Sequence, residues 1–275
     1  MPVVNLVFGR IVDTVLWPFQ GLPPWFGLTA ASLLTSLLML EAYKLTSDQA
    51  AIRRAKDRIK AHLLEMRLYK DNMRASWGAQ AGILKANLAY LAANLKPLAV
   101  MIVPLVLILA RLGLWFDRAP LEPGRETLVK AKLAGAADPA ALDLRLETPP
   151  FAEVSAPPVR IADEREVVWR IKALAAGRGR LTLRAGDRTA EKSLAVGGPE
   201  LSKVSARASR GSFPDRVLYP GEPPLPDGAP VRSIEVIYPA RRLAAFGLSV
   251  HWLAAYLVLS IAFGFALKGV FGVEI

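Results

Sequence analysis

The chain has no cysteine. That excludes a disulfide framework, a thiolate nucleophile and a thiolate metal site. Histidine is almost as scarce, with only His62 and His251 in 275 residues. No stretch has the spacing of a P-loop, a dinucleotide-binding turn or a metal-ligand set. The two histidines fall in compartments that the topology below separates, so no Ser-His-acid arrangement can be assembled around either. No cofactor is expected, and a non-enzymatic role is. The N-terminal stretch MPVVNLVFGRIVDTVLWPFQGLPP has no basic beginning, and Arg10 and Asp13 interrupt its apolar run. A cleaved signal peptide is therefore not expected.

Charge is absent from three long runs. Trp25–Tyr43 has only Glu41, Leu98–Phe116 has only Arg111, and Leu243–Leu267 has no Asp, Glu, Lys or Arg. Each run is at least 19 residues long, enough for a helix to cross roughly 30 Å of hydrocarbon. The net charge of +11 is shared unevenly between them. Lys44–Lys96 carries 11 basic residues against 4 acidic, whereas Asp117–Leu243 carries 21 against 17. Basic segments next to span ends stay in the cytoplasm, while long domains cross largely regardless of charge. The expected layout is an interfacial helix at 1–24, spans at 25–43, 98–116 and 243–267, and a basic cytoplasmic hairpin at 44–97. An outer domain at 117–242 and a cytoplasmic tail at 268–275 complete it. The expected location is the cytoplasmic (inner) membrane, with the lipid bilayer as first partner.

In the first 24 residues Val4, Leu6, Val7, Ile11, Val15, Leu16 and Phe19 crowd one side of a helix. Trp17 and Trp25 flank a Gly-Leu-Pro-Pro break, which suits the headgroup region of the outer leaflet. The first span carries Thr29, Ser32 and Ser36 at helical spacing, with Thr35 beside them. The third carries Ser249, Tyr256 and Ser260 on one face. Such stripes serve close helix packing or line a hydrated groove. Arg111 either snorkels to the outer headgroups or faces that groove. Pro104 is expected to kink the second span.

The cytoplasmic segment has a heptad. Ile52, Ile59, Met66 and Met73 take one core position, and Ala55, His62 and Tyr69 the other. Ser76-Trp77-Gly78 is the expected turn, with Ile83, Leu84, Leu88, Leu91 and Leu95 as the core face of the return helix. Met66 and Met73 offer an adaptable apolar surface. Arg53, Arg54, Arg58 and Lys60 offer charge to anionic lipid at about 1 kcal/mol each, or to ribosomal RNA.

After Phe116 the period changes to two. Leu142, Leu144 and Leu146 alternate with charged residues, and Val167, Trp169, Ile171 and Ala173 alternate with Val168, Arg170 and Lys172. Leu181 with Leu183, Ala190 with Leu194 and Val196, and Ile234 with Val236 and Tyr238 continue the pattern. With 128–133 and 159–161 this predicts about seven strands. The expected fold is thus an integral membrane α-helical protein with three spans. An extracytoplasmic all-β sandwich of immunoglobulin-like type is inserted into it, with Trp169 as a core anchor.

The order of these parts resembles the YidC/Oxa superfamily of membrane insertases, nearest to its small three-span, archaeal-type members. The residues that carry the likeness are the Met- and Lys/Arg-containing helices followed by ANLKPLAVMIVPLVLILARLGLWF. There a Lys-Pro pair opens an apolar span holding a second proline. The likeness covers residues 1–116 and 243–275. It implies a groove, open to cytoplasm and lipid, that receives a polar segment of a nascent or small membrane-protein client. The hairpin would recruit the client or the ribosome, and no nucleotide is needed. Thr29, Ser32, Thr35, Ser36, Arg111, Ser249, Tyr256 and Ser260 would line the groove. Arg53, Arg54, Arg58, Lys60, Met66 and Met73 would meet the client, ribosome or lipid. Two features depart from the larger bacterial members: the first span has no basic residue, and the β-domain lies between spans two and three. The rival readings are an adaptor whose outer domain binds an envelope protein, and a sensor that relays occupancy of that domain to the hairpin.

Overall fold

The computed structural model describes residues 2–69, 72–135, 142–212, 215, 219–245 and 247–273. The side chains of residues 2–8 and of 75, 245 and 248 lie outside the described set, and with them the expected faces of Val4, Leu6 and Val7. The chain divides into two compact units. One comprises Met1–Ala31 with Leu107–Ala255, the other Ser32–Val106 with Tyr256–Ile275.

Among the described residues, three helices are long and apolar enough to cross a membrane. They are α2 (Pro24–Thr46), α4 (Met73–Phe116) and α5 (Trp252–Phe271). α1 (Pro2–Leu16) precedes them and passes into a 3-10 turn at Trp17–Phe19. α3 (Gln49–Leu68) follows α2 after only Ser47 and Asp48. The Asp48 side chain accepts from the Ala51 N–H at 2.9 Å. It satisfies one of the first-turn donors that a helix leaves open, a contribution of about 1 kcal/mol.

Two boundaries differ from the sequence reading. The turn between α3 and α4 falls after Leu68 and before Met73. Ser76-Trp77-Gly78, the expected turn, is instead in the first turns of α4. Nor does α4 break at Lys96-Pro97: the return helix and the second apolar run form one helix of 44 residues containing both Pro97 and Pro104. The third run differs more. It opens not as helix but as an antiparallel hairpin of β9 (Leu243–Ala245) and β10 (Leu248–Val250). Gly247, with a φ of +80°, supplies the left-handed turn residue that this tight connection requires. An apolar stretch of four to eight residues reads alike as strand or helix.

In the unit that holds the β-domain, one five-stranded antiparallel sheet has the order β3-β4-β1-β8-β7. A three-stranded antiparallel sheet has the order β2-β5-β6. The strands are β1 (Glu126–Leu133), β2 (Leu144–Glu147), β3 (Ala152–Ile161), β4 (Glu166–Ala173), β5 (Gly177–Ala185), β6 (Arg188–Val196), β7 (Arg207–Ser209) and β8 (Val231–Val236). Alternation puts Val129, Ala131 and Leu133 of β1 and Val167, Trp169, Ile171 and Ala173 of β4 inside. Leu181 and Leu183 of β5 join them from the other sheet, and a single buried cluster draws on both. β3 is an edge strand. Its pairing with β4 slips at Ala156 and again before Val159, around Pro157-Pro158, which blunts the edge against strand addition.

Candidate functional site

The hydroxyl stripes meet inside the unit formed by Ser32–Val106 and Tyr256–Ile275. Ser32, Thr35 and Ser36 of α2 and Tyr256 of α5 are all buried. The Ser36 hydroxyl lies 2.7 Å from the Ser32 carbonyl one turn back and 2.8 Å from the Ser260 carbonyl on α5, and its one proton serves these two acceptors. The Tyr256 hydroxyl interacts with those of Thr35 and Ser260. The Ser32 hydroxyl is buried without a hydrogen-bond partner among the described residues. Five residues of the expected set are therefore brought together. The stripe faces α5 and not open solvent, because i, i+3 and i+4 spacing on α2 gives one continuous strip.

The other three are elsewhere. Thr29 is half-buried on the preceding turn of α2 and belongs to the other unit. Ser249 is a correction: it is an exposed residue of strand β10, not part of a helix with Tyr256 and Ser260. Arg111 also belongs to the β-containing unit, where it is buried. Its Nη1 donates to the Pro220 carbonyl at 3.2 Å. Its guanidinium lies on α1 at Gly9, where a Cβ would come within 2.8 Å of Cζ. A side chain at that position would push the guanidinium aside. Nearby, Asp13 accepts from Trp115 Nε1 at 3.0 Å and from Lys203 Nζ at 2.7 Å.

In the hairpin, Arg53, Arg54, Arg58 and Lys60 are exposed on α3. Lys60 is 3.9 Å from Asp57. Met66 is half-buried and Met73 is 75% exposed. The heptad core is present on α3 at Ile52 and Ala55. The partner face on α4 is not the expected one. Ala79 and Ala86 are buried on the same side of α4 as Gly82, which the His62 ring of α3 covers so closely that a Cβ there would meet it at 2.6 Å. The Tyr43 hydroxyl at the end of α2 donates to the Asn94 side chain of α4 and ties down the base of the hairpin. Ile83 is half-buried, while Leu84, Leu88, Leu91 and Leu95 stay exposed. Small residues allow a closer backbone approach than leucines do, and that choice leaves the leucine face without a partner.

One polar cluster was missed. In β6, Ala190, Leu194 and Val196 point inward, and so does Lys192, which is fully buried. Its ammonium donates to Glu222 and, at 2.7 Å, to the Ser205 carbonyl. Glu222 also accepts from the Ser193 N–H at 3.0 Å and the Ser193 hydroxyl at 2.7 Å. Burial holds the Lys192 ammonium below the usual lysine range against the opposing pull of Glu222. A lysine in register with three core residues was the available signal. Its geometry is that of a clamp holding Glu222, in the connection between β7 and β8, to the sheet. Among the described residues no His, Cys, Asp and Glu group could hold a metal ion.

Comparison with known proteins leaves the chain without assigned relatives. It matches no family profile and no curated protein. A solved structure, the crystal structure of the S-layer protein rSbsC(31-844), is similar over 30% of this chain and 12% of that one. It has 17% identity and a TM-score of 0.24.

Proposed function

We propose that this chain is an integral membrane protein of the insertase or membrane-protein chaperone type, organised like the small three-span members of the YidC/Oxa superfamily. One observation carries the reading: the buried hydroxyl seam between α2 and α5, with Ser32 left unpartnered. A buried hydroxyl without a partner costs about 1–3 kcal/mol. A client's polar backbone, entering beside it, would recover that cost and lower its own penalty in hydrocarbon. The spans support such entry, since only 11% of the most apolar window of α5 is buried. The basic α3–α4 hairpin, by the positive-inside bias, lies in the cytoplasm where clients and the ribosome arrive. The β-domain then lies outside. Its two antiparallel sheets on one core support an immunoglobulin-like sandwich, available to an envelope partner.

The burial of Ser32, Thr35 and Ser36 favours a second reading, a dry helix bundle serving as an adaptor. Reconstitution separates the two. Vesicles containing the purified protein should insert a small single-span client above the level of empty vesicles. Ser32→Leu, Ser36→Leu and Ser260→Leu together should abolish most of that gain without loss of helicity. Neutralising Arg53, Arg54, Arg58 and Lys60 should weaken client recruitment in a salt-dependent way. Insertion no better than in empty vesicles, across several clients, would leave the adaptor reading standing.

A further inference from the structure

The unpartnered face of α4 has a period of its own. Leu84, Leu88, Leu91, Leu95, Leu98 and Ile102 follow one another at alternating steps of four and three, the seven-residue repeat of a coiled-coil seam. At 100° per residue they fall within about 40° of one line along the helix. Gly82, which faces His62 of α3, lies with Ala79 and Ala86 on the opposite side of the same helix. The six seam residues are 64%, 59%, 62%, 66%, 56% and 51% exposed, in that order. All belong to one unit of the structure.

Lipid accounts for part of this face only. Residues 97–116 supply about 20 apolar positions, roughly the 30 Å of a bilayer's hydrocarbon. Leu84, Leu88, Leu91 and Leu95 continue the stripe for about 17 Å beyond it, at 1.5 Å per residue. Apolar seams of that length in water mark an interaction surface.

We infer that the seam is a self-association surface: two copies of the chain pair through α4, parallel and in register, Leu84 against Leu84 and Leu91 against Leu91. Three observations select a second copy as the occupant. The repeat matches itself, so in-register pairing stacks Leu84, Leu91 and Leu98, and Leu88, Leu95 and Ile102, each on its own counterpart through two heptad steps. The seam has almost no charge: Lys85 alone flanks it closely, and Arg53, Arg54, Arg58 and Lys60 are on α3, which packs on the far side. An acidic partner or a lipid headgroup layer would be met by those charges, not by leucine. Finally, six side chains at roughly 100 Å² each bury about 1,200 Å² over a pair, the lower edge of stable interfaces. The parallel direction rests on the membrane-spanning reading proposed above, because two copies inserted in one bilayer point the same way.

The absence of cysteine makes the test direct, since any disulfide must come from an introduced residue. Leu84→Cys, Leu88→Cys, Leu91→Cys and Leu95→Cys are compared, in native membranes under mild oxidation, with Ala89→Cys and Lys96→Cys, which are exposed but off the seam. Dimers at the four seam positions should exceed those at the two controls at least tenfold. Leu88→Glu with Leu91→Glu should convert the detergent-purified full chain from dimer to monomer at unchanged helicity. Equal cross-linking at all six positions, adducts only with other proteins, or none would overturn the inference. Release of the chain by alkaline carbonate would instead defeat the membrane reading. A carbonate-resistant chain without seam-specific dimers defeats the pairing alone.

Discussion

Lys192 and Tyr238 are the residues whose burial has the largest chemical consequences. An ammonium at zero exposure is tolerable only because Glu222 and the Ser205 carbonyl receive it. Glu222→Ala should cost about 3–5 kcal/mol in chemical unfolding, because it strands the charge. The double change Lys192→Met with Glu222→Leu should cost far less. Tyr238 is buried, and its hydroxyl accepts from the Ala195 N–H at 3.0 Å. Burial pushes its phenol well above the ordinary value of 10.0, with the Ala195 bond partly opposing. In the unfolded chain the phenol ionises near 10, while in the native chain it keeps its proton. Its contribution to stability is therefore complete below pH 10 and lost progressively above it. Lys192 acts in the opposite sense just below its ordinary 10.5, because the native lysine gives up its proton first. Tyr238→Phe isolates the first effect: its stability should fall less steeply than wild type between pH 10 and 11 in urea titrations. Equal slopes would remove Tyr238 as the cause.

At the scale of elements, periodicity made the inward faces of β4 and β5 legible, because alternation survives wherever one sheet face is covered. Trp169 emerged as a core residue for that reason. Apolar length likewise announced α2, α4 and α5. Periodicity did not say which of two apolar faces a helix would use. In α4 both the Ala79/Ala86 face and the leucine face repeat every seven residues, and side-chain size decided between them. The hairpin β9–β10 was hidden because LAAFGLSV is uncharged throughout and apolar except at Ser249, and Gly247 alone marked the turn. That error moved Ser249 out of the candidate site. The stripe Ser32, Thr35, Ser36 survived because all three lie well inside α2, where a boundary shift of a few residues does not reach them.

For the molecule as a whole, the sequence offered charge bias and the structure offers exposed positions to test it. Ala61 on α3 and Glu164 between β3 and β4 are both exposed. Single cysteines there should react with a membrane-impermeant maleimide from opposite sides, Glu164→Cys in intact cells and Ala61→Cys only after lysis. Labelling of both in intact cells would refute the three-span topology. The Arg111–Gly9 approach and the Asp13 bonds could not be read from sequence at all, since their partners lie 100 to 200 positions apart.

That separation has a consequence in time. Asp13 is made first, Trp115 about 100 residues later and Lys203 later still. At synthesis rates of about 5–20 residues per second, Asp13 waits roughly 10–40 s for its lysine. Through that interval α1 holds a carboxylate without its cationic partner from the β-domain. Its final docking therefore becomes available only after most of the β-domain has been synthesised. Helix α1, made before both of its partners, is among the last parts of the molecule to be fixed in place.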